Sequence, residues 1–424
     1  MPQNIRIATE TLGCKLNQAE SETLARQLAS AGFCMVPPET QQDVYILNTC
    51  TVTHIADRKS RHLLRMAKRR NPQVLTVATG CYAERMAQSL AAALEIDLVL
   101  GNDDKLRLPE ILIDQFSLVG SCKQILIPNR TRALIKVQDG CNRWCSYCIV
   151  PMVRGREKSV AVNEVLSEIR QRVDEGYREV VLTGTEIGAY SADGLDIKGL
   201  LQQILADTVI ERLRVSSLQP YEITPELLEL WRDQRLCRHF HISLQSGADS
   251  VLSRMRRGYT INSYQNALTL INVNLPDAAV TTDVIVGFPC ETEEEFCQTV
   301  DFCRRADFSR IHVFPYSSRP GTDAASMQGQ VPTDVKKERM CRMLALAKEE
   351  ARSFHSRFIG RDLPVLWEQS HNGVWSGYAP QYIRVYAEGT DDLTNTIGSV
   401  RLLRAYKGGL LGEIYRQGSI VVQQ

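Results

Sequence analysis

Apolar and polar positions follow two periods along this chain, and the switches between them mark out its elements. Up to about residue 115, IRIAT (5–9), VYILNT (44–49), VLTVATG (74–80) and DLVLG (97–101) are short apolar runs that predict strands. Between them, residues 17–33, 56–70 and 83–94 carry the spacing of amphipathic helices. This alternation predicts a parallel, Rossmann-like α/β sheet, with functional residues gathered at the strands' carboxyl ends.

A second alternating series opens at ALIKVQDG (133–140). Its strand candidates are EVVLTG (179–184), RLRVSS (212–217), HFHISLQ (239–245), VTTDVIVGF (280–288) and IHVFPYS (311–317), with helices expected near 163–176, 224–233, 263–272 and 292–306. About six β/α units are too few for a complete eight-unit barrel of ~250 residues, so a partial, open (β/α)6 barrel is expected. One charged helix follows from Thr333 to Phe358. Beyond it, short segments such as LPVLWEQ, GVWSGYAP and YIRVYAEG, broken by Gly and Asn, predict a small β-barrel. The expected domains are 1–117, a connector at 118–132, 133–355 with its trailing helix, and 356–424.

Composition narrows the chemistry only slightly. At 424 residues the chain exceeds one small core, and 44% hydrophobic with 23% charged residues is ordinary for a globular protein. A formal net charge of +1 means that any basic surface is local. MPQNIRIATE lacks both a signal-peptide apolar core and a transit-peptide composition, and no run reaches membrane-spanning length, so a cytoplasmic protein with no membrane partner is expected. Thirteen Cys without a secretory signal point to metal chemistry in a reducing compartment rather than to disulfides.

The cysteines themselves are more telling. Cys141, Cys145 and Cys148 form a C-x-x-x-C-x-x-C triplet in QDGCNRWCSYC, able to hold three corners of an iron–sulfur cube and leave one iron open. A structural zinc site is the alternative. Cys14, Cys50 and Cys81 each stand just past a different predicted strand, where the sheet brings them to one edge; they suggest a second three-Cys cluster, against three separately packed thiols. The remaining cysteines show no ligand pattern and are read as packing residues. Around the triplet loop, barrel strand ends carry the candidate cofactor contacts Tyr147, Gly184, Glu186, Ser216, Ser217, Gln245, Arg257 and Asp283. The stretch ADRKSRHLLRMAKRR (56–70) has one acid, Asp57, and puts Arg58, Arg61, Arg65 and Lys68 or Arg69 at one-face spacing, a candidate RNA contact or a solvated face. Residues 356–424 hold seven Lys/Arg and six Asp/Glu, so charge there demands no nucleic acid, and their Trp and Tyr residues suit a barrel core.

The whole chain resembles the radical S-adenosylmethionine (SAM) methylthiotransferases. TLGCKLNQAES, NTCTVTHIADRKSR, QDGCNRWCSYCIVPMVRGR and FPYSSRPGT resemble the MtaB-like branch, which acts on N6-threonylcarbamoyladenosine beside the anticodon of tRNA. The resemblance implies two 4Fe–4S clusters. One, on Cys141, Cys145 and Cys148, would bind SAM and yield a 5′-deoxyadenosyl radical that activates C2 of the adenine. The other, on Cys14, Cys50 and Cys81, would carry the sulfur, which a second SAM methylates. It further implies a TRAM-like barrel gripping tRNA, a reducing protein as electron donor and a sulfur donor. Sibling branches act on isopentenyladenosine in tRNA or on an aspartate of a ribosomal protein; a non-catalytic iron–sulfur RNA-binding protein is an alternative outside the family. One departure is GFPCET, where Cys290 replaces the family's usual Gly near the SAM site.

Overall fold

The computed structural model describes residues 5–94, 96–116 and 131–415, so the expected connector lies outside the described residues up to position 130. In the N-terminal part, five parallel strands form one sheet: β1 (Arg6–Thr11), β2 (Cys34–Val36), β3 (Val44–Thr49), β4 (Leu75–Gly80) and β5 (Leu98–Val99), in the order β2-β1-β3-β4-β5. The apolar pattern does not predict β2, which is only three residues long. Helices α1 (Lys15–Ser30), α2 (His54–Arg70), α3 (Cys81–Leu94) and α4 (Leu108–Phe116) connect or follow these strands. All six residues of β3 are buried, with Tyr45 and Leu47 in one core and Val44 and Ile46 in the other. That is the signature of a sheet covered on both faces. The Thr53 hydroxyl caps α2 by accepting from Ala56 N, and Lys68, Arg69 and Arg70 fill its last turn, where the helix dipole favours cations.

The central part has six parallel β/α units, as the pattern predicts. Strand β6 (Arg132–Lys136) pairs with Glu179–Thr183, and that strand with Arg212–Val215. A kink at Ser216 passes the chain into a second run, Ser217–Leu218, His239–Ile242, Ala279–Val286 and Arg310–Pro315. Several helices depart from expectation, among them the short additional helices Val150–Arg154, Asp249–Arg254 and Asp323–Ser326. Ile197–Asp207, capped by Asp196, is an additional helix, and its Ile197, Leu200, Leu201 and Ile204 do have helical spacing. The 224–233 segment shortens to Pro225–Leu228 followed by a 3-10 turn. One set of strand residues (Ala133, Ile135, Val180, Leu182) packs into the helix-covered core, whereas Leu134 and Val181 on the other face meet Ala19 of α1. The N-terminal domain therefore covers part of the open half-barrel.

Thr333–Ser356 forms the expected long helix. Five strands between Asp362 and Ile414 then close into a barrel whose core holds Trp367 and Trp375, both 5% exposed or less. Among the other cysteines, Cys237 and Cys303 are buried packing residues as expected, but Cys290 and Cys341 are exposed, Cys297 is half-buried and Cys34 is disulfide-bonded; Cys122 lies outside the described residues. No helix among the described residues is long and apolar enough to cross a membrane.

Candidate active site

Strands β1, β3 and β4 are neighbours, and their register puts Thr11 beside Asn48 and Thr49 beside Gly80. Their carboxyl ends are thus level, and the next residues present the three cysteines. Cys14 is the N-cap of α1, Cys50 directly follows β3, and Cys81 is the first residue of α3 rather than a turn residue. Local contacts brace the turns that carry Cys14 and Cys50. The Asn17 amide donates to Leu12 O and Thr49 O, and Asn48 donates to Asn17 O. Gly13 (φ +106) lies so close to Cys50 that a Cβ there would sit 2.8 Å from the Cys50 Cβ. Burial pushes the Cys50 thiol up to about 12, with smaller pushes from Cys81 and Cys14. Burial also raises the Cys81 thiol, against the pull of Arg154.

The second triplet lies on the loop after β6. Gly140 (φ +70) has no room for a side chain: a Cβ would fall 2.0 Å from Arg156 O. Ser146 anchors the loop to the far side of the barrel, its N donating to Met255 O (3.1 Å) and its Oγ to Arg254 O (2.7 Å). Burial raises the Cys148 thiol to about 11. The Cys141 thiol is raised mainly by burial and further by its 3.1 Å hydrogen bond to Glu186. All six cysteines are free thiols. Three neighbouring thiols at the sheet edge, Cys14 exposed and Cys50 and Cys81 buried, and three half-buried thiols on one barrel loop are donor sets suited to iron–sulfur clusters. The raised Cys50, Cys81, Cys141 and Cys148 thiols mean that metal binding at them must displace protons.

The proposed cofactor contacts fall into three groups. Glu186 and Arg257 reach the Cys141/Cys145/Cys148 loop, on which Tyr147 itself lies. Glu186 holds Cys141, Arg143 and Tyr221; Arg257 is 3.4 Å from the Cys145 Sγ and donates to Gln219, with no carboxylate partner among the described residues; Tyr147 packs edge-on to Phe288. Ser216, Ser217 and Gly184 line the strand ends. The Ser216 Oγ is buried without a hydrogen-bond partner, an orphan that a bound polar ligand would satisfy. Gly184 instead serves close packing on Gln138. Gln245 (φ +66) exchanges backbone hydrogen bonds with Asp283 and Ile285. The Asp283 carboxylate is already engaged by His241 and Ser243; burial opposes its ionisation, yet these bonds hold it below the usual range. Cys290 adopts φ +61, the conformation that favours glycine, and its sulfur turns toward Gln328 O (3.2 Å). The turn therefore accommodates the side chain.

The expected basic face of α2 divides. Arg58, Arg65 and Arg69 are exposed and make no hydrogen bond or ion pair among the described residues. Arg61 donates to the Tyr82 hydroxyl (2.6 Å), and Lys68 pairs with Asp97 (2.7 Å), so neither is free for a ligand. In the C-terminal barrel, Trp367, Trp375 and Tyr386 are core, while Tyr378 and Tyr382 stack at its junction with the half-barrel.

Sequence reasoning missed the residues that join the two sites. Arg154, at the end of helix α5 (Val150–Arg154), is 3% exposed and contacts Asn17, Glu20 and Asp139. Arg319, 1% exposed, reaches across to Asp57 (2.7 Å) and Thr51 O (3.0 Å). Cys81 itself packs against Ile149 and Val153, just past Cys148. An Arg in a loop motif reads as surface; only its partners from another domain make it interior.

Comparison with known proteins agrees with this geometry. Residues 135–303 match the Radical SAM superfamily, and residues 6–101 match Uncharacterized protein family UPF0004. The chain is 38% identical to threonylcarbamoyladenosine tRNA methylthiotransferase MtaB of Bacillus subtilis (strain 168), over 98% of this chain and 96% of that one. It is 36% identical to tRNA-2-methylthio-N(6)-dimethylallyladenosine synthase of Syntrophotalea carbinolica, over 95% and 98%. In fold it is similar to the radical S-adenosylmethionine methyltransferase TsrM from Kitasatospora setae (TM-score 0.57, 15% identity, 76% of this chain and 74% of that one). Fold and site thus have the make-up of a radical-SAM enzyme. Within that class, the chain belongs to the radical-SAM methylthiotransferase family.

Proposed function

We propose that this enzyme is a tRNA methylthiotransferase that places a methylthio group on C2 of N6-threonylcarbamoyladenosine beside the anticodon. The observation that carries the reading is the pair of three-cysteine sites, one on the half-barrel loop and one on the sheet edge, joined where Cys81 packs on Ile149 and Val153. In this reading Cys141, Cys145 and Cys148 would hold one cluster beside the SAM site, and Cys14, Cys50 and Cys81 would hold a second. When bound, such clusters supply the electron for SAM cleavage and the sulfur to be transferred.

The chain's own residues do the rest. Gly140 lets the loop turn so that Cys141 meets Glu186. The Arg257 guanidinium and the orphan Ser216 hydroxyl offer contacts to a carboxylate and to other polar groups of SAM. The free cations of α2 offer phosphate contacts to the RNA. Two relatives bear names for different tRNA adenosines, and the quoted motifs favour the threonylcarbamoyl branch.

The test is anaerobic incubation of the reconstituted protein with SAM, a reductant and tRNA bearing either modified adenosine, followed by nucleoside mass spectrometry. Gain of a methylthio group on the threonylcarbamoyl substrate is expected. Reaction only with the isopentenyl substrate would move the protein to the sibling branch.

A further inference from the structure

The two cysteine sites belong to different domains, yet Arg154 touches the framework of both, with Lys136 Nζ beside it at 3.3 Å from Glu20 Oε1 and 3.3 Å from Asp139 Oδ2. On the radical side, Arg154 Nη1 donates to both carboxylate oxygens of Asp139 (2.9 and 3.1 Å). Asp139 in turn accepts from Gly140 N (2.8 Å), the residue directly before Cys141. On the other side, Arg154 Nη2 donates to Asn17 Oδ1 (2.5 Å). Asn17 is the residue whose amide ties Leu12 O to Thr49 O, the turns that carry Cys14 and Cys50. Glu20 completes the cradle, accepting from both guanidinium nitrogens (3.0 and 3.2 Å) and from Lys105 (2.6 Å). The guanidinium is 3% exposed, so none of these contacts is diluted by solvent.

From this connection we propose that Arg154 is a positioning residue that sets the alignment of the sulfur-carrying site against the radical site. The proposal rests on the two-cluster reading above. Its physical basis is the planar fork of arginine: Nη1 binds Asp139 and Glu20 while Nη2 binds Asn17 and Glu20, a simultaneous hold on Asp139 and Asn17 that the single ammonium of the neighbouring Lys136, which reaches only Glu20 and Asp139, does not make. A reaction that joins a carbon activated at one site to a sulfur held at the other depends on ångström-scale placement. Loosening the joint therefore leaves each half working and spoils their cooperation.

The experiment compares Arg154→Gln and Arg154→Lys with the parent protein after anaerobic reconstitution. It measures iron per chain, 5′-deoxyadenosine formed from SAM, methylthio nucleoside formed on tRNA, and the electron paramagnetic resonance of each reduced cluster. Expected are parental iron content, 5′-deoxyadenosine within about twofold of the parent, and a product-to-5′-deoxyadenosine ratio lower by about tenfold to a hundredfold. The spectrum of the Cys14/Cys50/Cys81 cluster should shift, while the SAM-induced change at the other cluster stays as in the parent. The lysine variant should behave like the glutamine one. An unchanged ratio with both clusters loaded, full rescue by lysine, or loss of half the iron would each overturn the proposal, the last because Arg154 would then hold the turns rather than align them. Asp139→Asn, which loosens only the radical-side contact, gives a second and milder variant in case Arg154 proves essential for folding; its ratio should fall as well, and an unchanged ratio would count against the proposal. If the parent itself methylthiolates no tRNA, the functional reading fails, and the spectra still report whether Arg154 tunes the second site.

Discussion

At the scale of single residues, the six cysteines divide into two independent sets, and the division is testable. Cys50→Ala should lose about half of the iron and all methylthio product but still cleave SAM. Cys148→Ala should lose the other half and SAM cleavage with it, because in the proposed reading each cluster would depend on its own three thiolates. Iron assay and 5′-deoxyadenosine analysis on both variants check this. A variant pair that loses all iron in either case would contradict two separate sites. Both triplets were visible in the sequence, one from spacing and the other from strand-end placement. Arg154 and Arg319 were not, because their partners lie 134 and 262 positions away, at Glu20 and Asp57.

At the scale of elements, α2 is where sequence and structure part most usefully. Helical periodicity treats Arg58, Arg61, Arg65 and Lys68 as equivalent, but Arg61 and Lys68 are half-buried and bonded to Tyr82 and Asp97. Replacing Arg58, Arg65 and Arg69 together by Ala should weaken tRNA binding and flatten its salt dependence, by about 0.7–0.9 in log–log slope for each phosphate no longer neutralised. Replacing Arg61 or Lys68 should instead cost stability, with little change in that slope. Binding titrations across a salt series, run beside thermal melts, separate the two sets. A second element-scale effect sits on the long helix Thr333–Ser356. Burial, helped by Arg310, pushes His355 down to about 4, so the folded protein holds it neutral where the unfolded chain binds a proton. Its contribution is complete above about 6.5 and is lost as pH falls toward 4. His355→Gln should lessen the drop in urea midpoint between pH 7 and pH 4.5 relative to the parent.

At the scale of the whole molecule, three domains meet at one buried set of charges. Arg214, fully buried, pairs with Glu179 (2.8 Å) and donates to Pro380 O of the C-terminal barrel (3.0 Å). Arg212 likewise donates to Tyr378 O and Pro364 O. Tyr382 stacks on His239 and lies under Arg132, Arg214 and, from α1, Lys15. Arg214→Met would remove the closest partner of a carboxylate with no solvent access. It should destabilise the protein by about 3 kcal/mol or more. Differential scanning calorimetry checks the size of the effect. A loss below about 1 kcal/mol would mean that Arg212 and Arg132 carry Glu179 alone.

Taken by itself, the sequence determined most of the local order of this protein: the longer strands and most of the longer helices, the six-unit half-barrel, the closing β-barrel and the two sets of three cysteines, but not the three-residue β2 or the helix Ile197–Asp207. Those features follow from periodicity, turn chemistry and short spacings, all of which are local. Only the tertiary structure decided which charges are buried, which cations of α2 remain free, and how one guanidinium joins two sites. Those outcomes depend on contacts between residues far apart in the chain, where desolvation and hydrogen-bond geometry, not pattern, set the result.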